Sequence, residues 1–82
     1  MILAGKLCTP IREMLESDDY GSVIFHTNGY RQSAMTQISV LNLRRRHGYD
    51  FRTKLIDDNH IAVVRPGGEN LPGISIDIRE VE

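Results

Sequence analysis

The residues of this chain that could carry chemistry are three histidines, one cysteine and a few hydroxyl groups. His26, His47, His60 and Cys8 lie in four separate segments. Zinc sites use ligands in close sequence pairs, and this chain contains no such pair. Cys8 or Ser33 beside a histidine would need an oxyanion-hole motif or a nucleophile elbow, and neither occurs. The sequence therefore predicts a protein that is not an enzyme and holds no metal or other cofactor.

Two short motifs also suit turns better than ligand sites. Gly67-Gly68 lacks the lysine and the glycine spacing of a phosphate-binding loop. Asp57-Asp58-Asn59 offers oxygen ligands, but it lacks the length and the bidentate glutamate of a calcium loop. We interpret both as turns, because glycine and short polar side chains favour tight bends.

The distribution of charge is more informative than any motif. The chain of 82 residues has a net charge of −1. Residues 1–28 carry −2, residues 29–65 carry +4 and residues 66–82 carry −3. A basic middle segment between acidic ends predicts an electrostatic binding surface, although the chain as a whole is not basic.

The basic segment contains the residues that we predict to bind nucleic acid or another partner. Three arginines follow one another at the end of a predicted helix, and two further cations alternate along the next predicted strand. Such cations bind phosphates, and a tyrosine among them offers a stacking surface for a base. The predicted binding residues are Arg44, Arg45, Arg46, Tyr49, Arg52 and Lys54.

A purely structural role for the same cations stays open. Arginines in the last turn of a helix stabilise it through the helix dipole. Some of these side chains would then form ion pairs with Asp18, with Asp19 or with the acidic C-terminus of the same molecule. The two roles predict different surroundings for the arginines, which only a structure reveals.

Two helices are predicted. Thr9-Pro10 is typical of a helix start, and apolar residues at helical spacing then predict a short helix over 10–17. A long helix is predicted over 31–47. Its end carries Arg44 to His47 and is followed by Gly48, which can adopt the left-handed conformation that closes a helix. The residues on the apolar side of this helix, which we expect to face the protein core, are Ala34, Met35, Ile38 and Leu41.

The remaining elements are strands. Residues 22–27 are rich in β-formers, and alternation of apolar and polar residues predicts a hairpin over 50–65 and a last strand over 74–81, from Ile74 to Val81. We therefore predict an α+β fold with a short N-terminal helix and one long helix packed on a small, mainly antiparallel sheet of three to four strands.

Size and composition bound the architecture and the compartment. The chain is short enough for a single compact domain over 1–82. No segment is long and apolar enough to span a membrane, and the N-terminus lacks the pattern of a signal peptide. The lone Cys8, expected to be a small buried side chain, fits a reducing setting, so we expect a cytoplasmic protein.

Four segments within residues 29–65 together form the pattern of a helix followed by a hairpin. They are Arg31 to Ala34, Arg46-His47-Gly48-Tyr49, Phe51-Arg52-Thr53-Lys54 and Val63-Val64-Arg65. This pattern resembles a helix-plus-hairpin module of small uncharacterised bacteriophage proteins. The resemblance implies a phage accessory protein that acts on host nucleic acid or on host proteins that handle it.

The functional prediction is a small, non-enzymatic accessory protein that binds nucleic acid through the basic surface. The alternative is a phage-encoded inhibitor or adaptor that blocks a host defence factor or transcription factor. The strand over 74–81 offers a further contact, because an isoleucine-rich terminal strand can pair with a second copy of the chain as a homodimer.

Overall fold

The computed structural model describes residues 4–79 and places two helices on one face of a four-stranded sheet. The elements are α1 (Ala4–Glu16), β1 (Ser22–His26), α2 (Gly29–His47), β2 (Arg52–Asp57), β3 (His60–Val64) and β4 (Gly73–Asp77). The predicted α+β fold, with a long helix packed on a small sheet, is confirmed.

The sheet has the strand order β2-β3-β1-β4. β3 pairs antiparallel with both β1 and β2, and β4 pairs parallel with β1. The prediction of a mainly antiparallel sheet is therefore correct for two of the three strand pairs. β1 and β2 run in the same direction with β3 between them, so α2 is the crossover connection that joins them.

The core lies between the helices and one face of the sheet. Alternate residues of the two central strands point towards the helices and are fully buried, as period-2 alternation requires. Leu7, Ile11 and Met14 of α1 and Val40 and Leu43 of α2 cover them. The sheet residues that form this layer are Val23 and Phe25 of β1 and Ile61 and Val63 of β3. The opposite face of the sheet is not covered by either helix.

The predicted start of α1 at Thr9-Pro10 is wrong. α1 begins at Ala4, and Pro10 lies inside it. The spacing of Ile11 and Met14 extends back by four residues to Leu7, which is also fully buried. Burying one leucine stabilises by about 2 kcal/mol, which offsets much of the roughly 3 kcal/mol cost of an internal proline.

The predicted core-facing side of α2 is also wrong. Ala34, Met35, Ile38 and Leu41 were expected to face the sheet, but the buried residues are Ser33, Thr36, Val40 and Leu43. Hydrogen bonds at the start of the helix explain this orientation. The Ser33 hydroxyl donates to the backbone oxygen of Asp58, and the Gln32 amide donates to the backbone oxygen of Ile78, each at 2.9 Å. These bonds turn the polar side of the first helical turns towards the sheet.

The predicted turn at Gly67-Gly68 is present, and it packs against the segment before β1. Gly67 has a φ of 75°, which favours glycine. A Cβ atom on Gly21 would lie 1.9 Å from the backbone oxygen of Gly68. The two backbones approach so closely that there is no space for a side chain, so both positions require glycine.

β4 lies at one edge of the sheet. Its residues Ile74 and Ile76 are half-buried against the core, and Ile78 beyond it is fully buried. The predicted terminal strand thus ends at Asp77, and residues 80–82 lie outside the described part of the chain. Among the described residues, β1 is the only strand that pairs with β4. Dimerisation through this strand stays a prediction.

Neither described helix is long and apolar enough to cross a membrane.

Candidate binding surface at the end of α2

The end of α2 is fixed by a glycine cap and by the return of the chain into β2. Gly48 adopts the left-handed conformation, with φ 67° and ψ 26°, and its N–H donates to the backbone oxygen of Arg44. The Tyr49 N–H donates to the same oxygen at 3.2 Å. Phe51 is then buried in the core. The predicted helix end with its left-handed cap is confirmed, and it places the arginines beside the start of β2.

An open cleft of about 530 Å³ lies at this junction. Its walls combine the last turns of α2 with the segment that leads into β2. The cleft is lined by Leu41, Arg44, Arg45, Gly48, Tyr49, Asp50 and Phe51. Two arginines and one aspartate make it a polar cleft with a net positive charge.

The three consecutive arginines are exposed but differ in what they contact. The Arg44 guanidinium donates a hydrogen bond of 3.1 Å to the backbone oxygen of Phe51, so it joins the helix end to the start of β2. Arg45 lines the cleft, and Arg46 lies on the solvent side of the helix. Within residues 4–79, no carboxylate lies within 4.0 Å of any of these guanidinium groups.

Tyr49 is held against the core by its neighbours. Its ring stacks on that of His47, with the centroids 5.0 Å apart and the planes 18° apart. Partial burial and the adjacent Cys8 thiol, to which its hydroxyl is hydrogen-bonded, raise the pKa of Tyr49. The phenol is therefore neutral at physiological pH. Because His47 is exposed and Tyr49 is half-buried, His47 forms the outer ring of this stack.

Arg52 and Lys54 project from the opposite side of the molecule. They pair in register with Val64 and Ala62 of β3, on the sheet face that no helix covers. Both are exposed. Thr53 between them points to the helix side and accepts a hydrogen bond of 3.1 Å from the Gln37 amide. The six predicted binding residues therefore lie on two faces that meet at the β2 edge of the sheet.

Two of the histidines come together on the uncovered sheet face, as the sequence did not indicate. The rings of His26 and His60 meet edge to face, with their centroids 4.9 Å apart. Nδ1 of His60 lies 2.8 Å from the Asp57 carboxylate. Among the described residues, no group of three histidine, cysteine or acidic side chains is arranged to hold a metal ion.

The two side chains considered as nucleophiles take part in structural contacts. Cys8 is half-buried against the core and adjoins Tyr49. Ser33 is fully buried, and its hydroxyl donates to the backbone oxygen of Asp58. The Thr27 hydroxyl is left to donate to the Ser33 oxygen. Both side chains therefore contribute to packing and hydrogen bonding within the fold.

The surface feature that the sequence interpretation missed is the exposed side of α2. Tyr30, Met35 and Ile38 are 60%, 48% and 61% exposed. The sequence did contain a signal for the correct buried side, because Ser33, Thr36, Val40 and Leu43 also repeat at helical spacing. It was weak because two of those residues are polar.

Comparisons of the chain with protein-family models, with curated proteins and with solved structures found no match.

Proposed function

We propose that this protein is a non-enzymatic accessory protein that binds single-stranded nucleic acid through its basic surface. The observation that supports the proposal is that the carboxylates of the described residues form no ion pair with these cations. Within residues 4–79, the ion pairs join His60 to Asp57, Arg65 to Asp18 and Arg79 to Asp77. None involves Arg44, Arg45, Arg46, Arg52 or Lys54.

This observation weakens the purely structural role of the arginines. Asp18, one of the acids that would have neutralised them, lies beside Arg65 instead. One arginine in the last turn is enough to bond to the returning chain, and Arg44 does so. Arg45 and Arg46 add positive charge that the described part of the fold does not use. Uncompensated cations on a surface attract a polyanion.

The positions of the cations favour a single strand over a duplex. Arg45 lines the helix-end cleft, whereas Arg52 and Lys54 lie on the uncovered face of the sheet. A flexible single strand can pass around the β2 edge and meet both groups, but a stiff duplex cannot bend over so short a distance. The exposed ring of His47, supported by Tyr49, offers a surface on which a base can stack.

The proposal predicts how affinity depends on salt. If about five cations contact phosphates, the logarithm of the affinity falls with the logarithm of salt with a slope of about −3.5 for a single strand. Raising the salt from about 50 to about 200 mM should then weaken binding by roughly 100-fold. Fluorescence anisotropy with labelled single- and double-stranded DNA and RNA measures this slope.

Two double variants separate the two faces. Arg45→Ala with Arg46→Ala removes charge at the helix end and keeps the Arg44 contact to Phe51. Arg52→Ala with Lys54→Ala removes the same charge from the sheet face. Lys6→Ala with Arg31→Ala is the matched control, because both residues are exposed, Lys6 on α1 and Arg31 at the beginning of α2, and the net charge changes equally.

The proposal predicts that each test variant reduces the salt slope by about 1.4 and that the control leaves it unchanged. Equal losses in all three variants would indicate attraction to net charge alone. No binding at either salt concentration would refute the proposal.

The second candidate is an inhibitor or adaptor that acts on a host protein, as the resemblance to bacteriophage proteins implies. The exposed apolar side chains of α2 favour it, since such groups on a small protein often mark a protein contact. It predicts a stable complex with one protein and no affinity for nucleic acid.

A further inference from the structure

We propose that the exposed side of α2 is a docking surface for an acidic amphipathic helix of another protein. This inference does not depend on nucleic-acid binding. It rests on a continuous apolar surface and on the charges at its two ends.

The apolar surface runs along most of α2. Tyr30, Ala34, Ile38 and Leu41 are separated by four, four and three residues, so they lie on one side of the helix. Tyr30 and Ile38 are among the most exposed large apolar side chains of the described residues, and Ala34 and Leu41 are half-buried. The stripe is about 16 Å long, which corresponds to three turns of a partner helix.

The charges of α2 define the chemistry of the partner. The helix contains four arginines and no acidic residue. Arg31 lies near the beginning of the apolar stripe, and Arg45 and Arg46 lie beyond its end. None of these three has a carboxylate within 4.0 Å among the described residues. A partner with apolar residues on one side and acids flanking them would be complementary over the whole length.

A second copy of this chain does not fit the surface. Two α2 helices packed antiparallel would bring Arg31 close to Arg45 and Arg46 of the other copy, and parallel packing would bring identical arginines together. Both arrangements repel. Helix α1 of a second copy is not a substitute, because it has no net charge and its apolar residues Leu7, Ile11 and Met14 are all buried in its own core. The partner is therefore a different protein.

The test uses a synthetic probe and matched variants. The probe is a fluorescent peptide of about 18 residues, long enough for five helical turns, with leucines along one side and glutamates flanking them. A second peptide has lysines in place of the glutamates. The test variant is Tyr30→Thr with Ile38→Thr. The control is Ile56→Thr, which removes an apolar side chain that is 49% exposed on β2.

The acidic peptide should bind the protein, and the test variant should weaken this binding by at least about tenfold, as expected for the loss of central apolar contacts. The control should bind normally. The lysine peptide should bind at least about tenfold more weakly than the acidic one.

Three results would overturn the proposal. The first is an equal affinity for both peptides, or no binding of the acidic one. The second is an unchanged affinity in the test variant, with circular dichroism confirming that it is folded. The third is a dimer in analytical ultracentrifugation that the test variant abolishes, since a second copy would then cover the surface.

Discussion

The backbone N–H of Gly29 donates a hydrogen bond of 3.0 Å to Oδ1 of Asn59, so the turn between β2 and β3 caps the start of α2. The residue before the helix, Asn28, makes no side-chain cap of its own. Asn59 is itself held by two bonds: its N–H donates to the Asp57 carboxylate, and its backbone oxygen accepts from Thr27. The long helix therefore depends on a turn that lies 30 residues later in the chain.

Replacing this cap should destabilise the fold. Asn59→Ala removes the acceptor of the Gly29 N–H and should lower the free energy of unfolding by about 1 kcal/mol, the usual contribution of a helix cap. Urea denaturation at neutral pH measures the change. Asn42→Ala is the control, because Asn42 is exposed in the middle of α2. An unchanged midpoint for Asn59→Ala would show that the cap contributes nothing to stability.

Two polar residues on the buried side of α2 should have opposite effects on stability when their hydroxyl groups are removed. The Thr36 hydroxyl is buried without a hydrogen-bond partner among the described residues, whereas the Ser33 hydroxyl bonds to Thr27 and Asp58. Thr36→Val removes an unsatisfied group at nearly constant volume and should raise the free energy of unfolding by about 1 kcal/mol. Ser33→Ala breaks satisfied bonds and should lower it by about 1–2 kcal/mol. Calorimetry of both variants tests the pair, and a destabilised Thr36→Val variant would contradict the assignment.

Local patterns in the sequence were enough to predict most elements of the fold. Alternation located the hairpin with Phe51 facing the core, and Gly48 located the end of α2. The spacing of apolar residues along α2 did not determine which side of the helix is buried. Ser33 faces the sheet because its hydroxyl bonds to Asp58, a contact between distant parts of the chain. The parallel pairing of β4 with β1 is equally non-local, and no short segment encodes it.

The candidate site was predictable in its members and not in its arrangement. The run of Arg44, Arg45 and Arg46 and the alternation of Arg52 and Lys54 along the next strand predicted a basic surface. Their division between two faces follows from the pairing of β2 with β3, and the absence of carboxylate partners within the described residues follows from where Asp18 lies. The division between two faces and the position of Asp18 both depend on tertiary contacts, which the spacing of residues along the sequence does not predict.

Arg65 should be more important for stability than its ion pair suggests. Its guanidinium donates to the backbone oxygens of Met14 and Ser17, at the end of α1, while Asp18 lies 3.8 Å away with its carboxylate in solvent. Arg65→Ala should lower the free energy of unfolding by about 2 kcal/mol, because carbonyls at a helix end lose a charged donor. Asp18→Ala should change it by less than about 0.5 kcal/mol. Urea denaturation compares the two, and equal effects would assign the stabilisation to the ion pair instead.

Acid should destabilise the fold through two carboxylates whose pKa values are lowered. The side chain and backbone N–H of Arg79 bond to Asp77 and hold its pKa well below its usual value. Hydrogen bonds from His60 and from the Asn59 backbone lower the pKa of Asp57. Both groups have an ordinary pKa of 3.8 in the unfolded chain. The unfolded state therefore binds more protons below about pH 4, and the stabilisation present above that pH is lost as the pH falls further.

Substituting Asp77 should remove part of this dependence. Asp77→Asn cannot be protonated, so its urea midpoint should fall less between about pH 7 and about pH 3 than that of the unsubstituted chain, whose Asp77 takes up a proton on unfolding below about pH 4. Asp50→Asn changes the net charge equally on an exposed residue outside the strands and serves as the control. If both variants followed the unsubstituted chain at every pH, the bonds between Asp77 and Arg79 would contribute no pH-dependent stability.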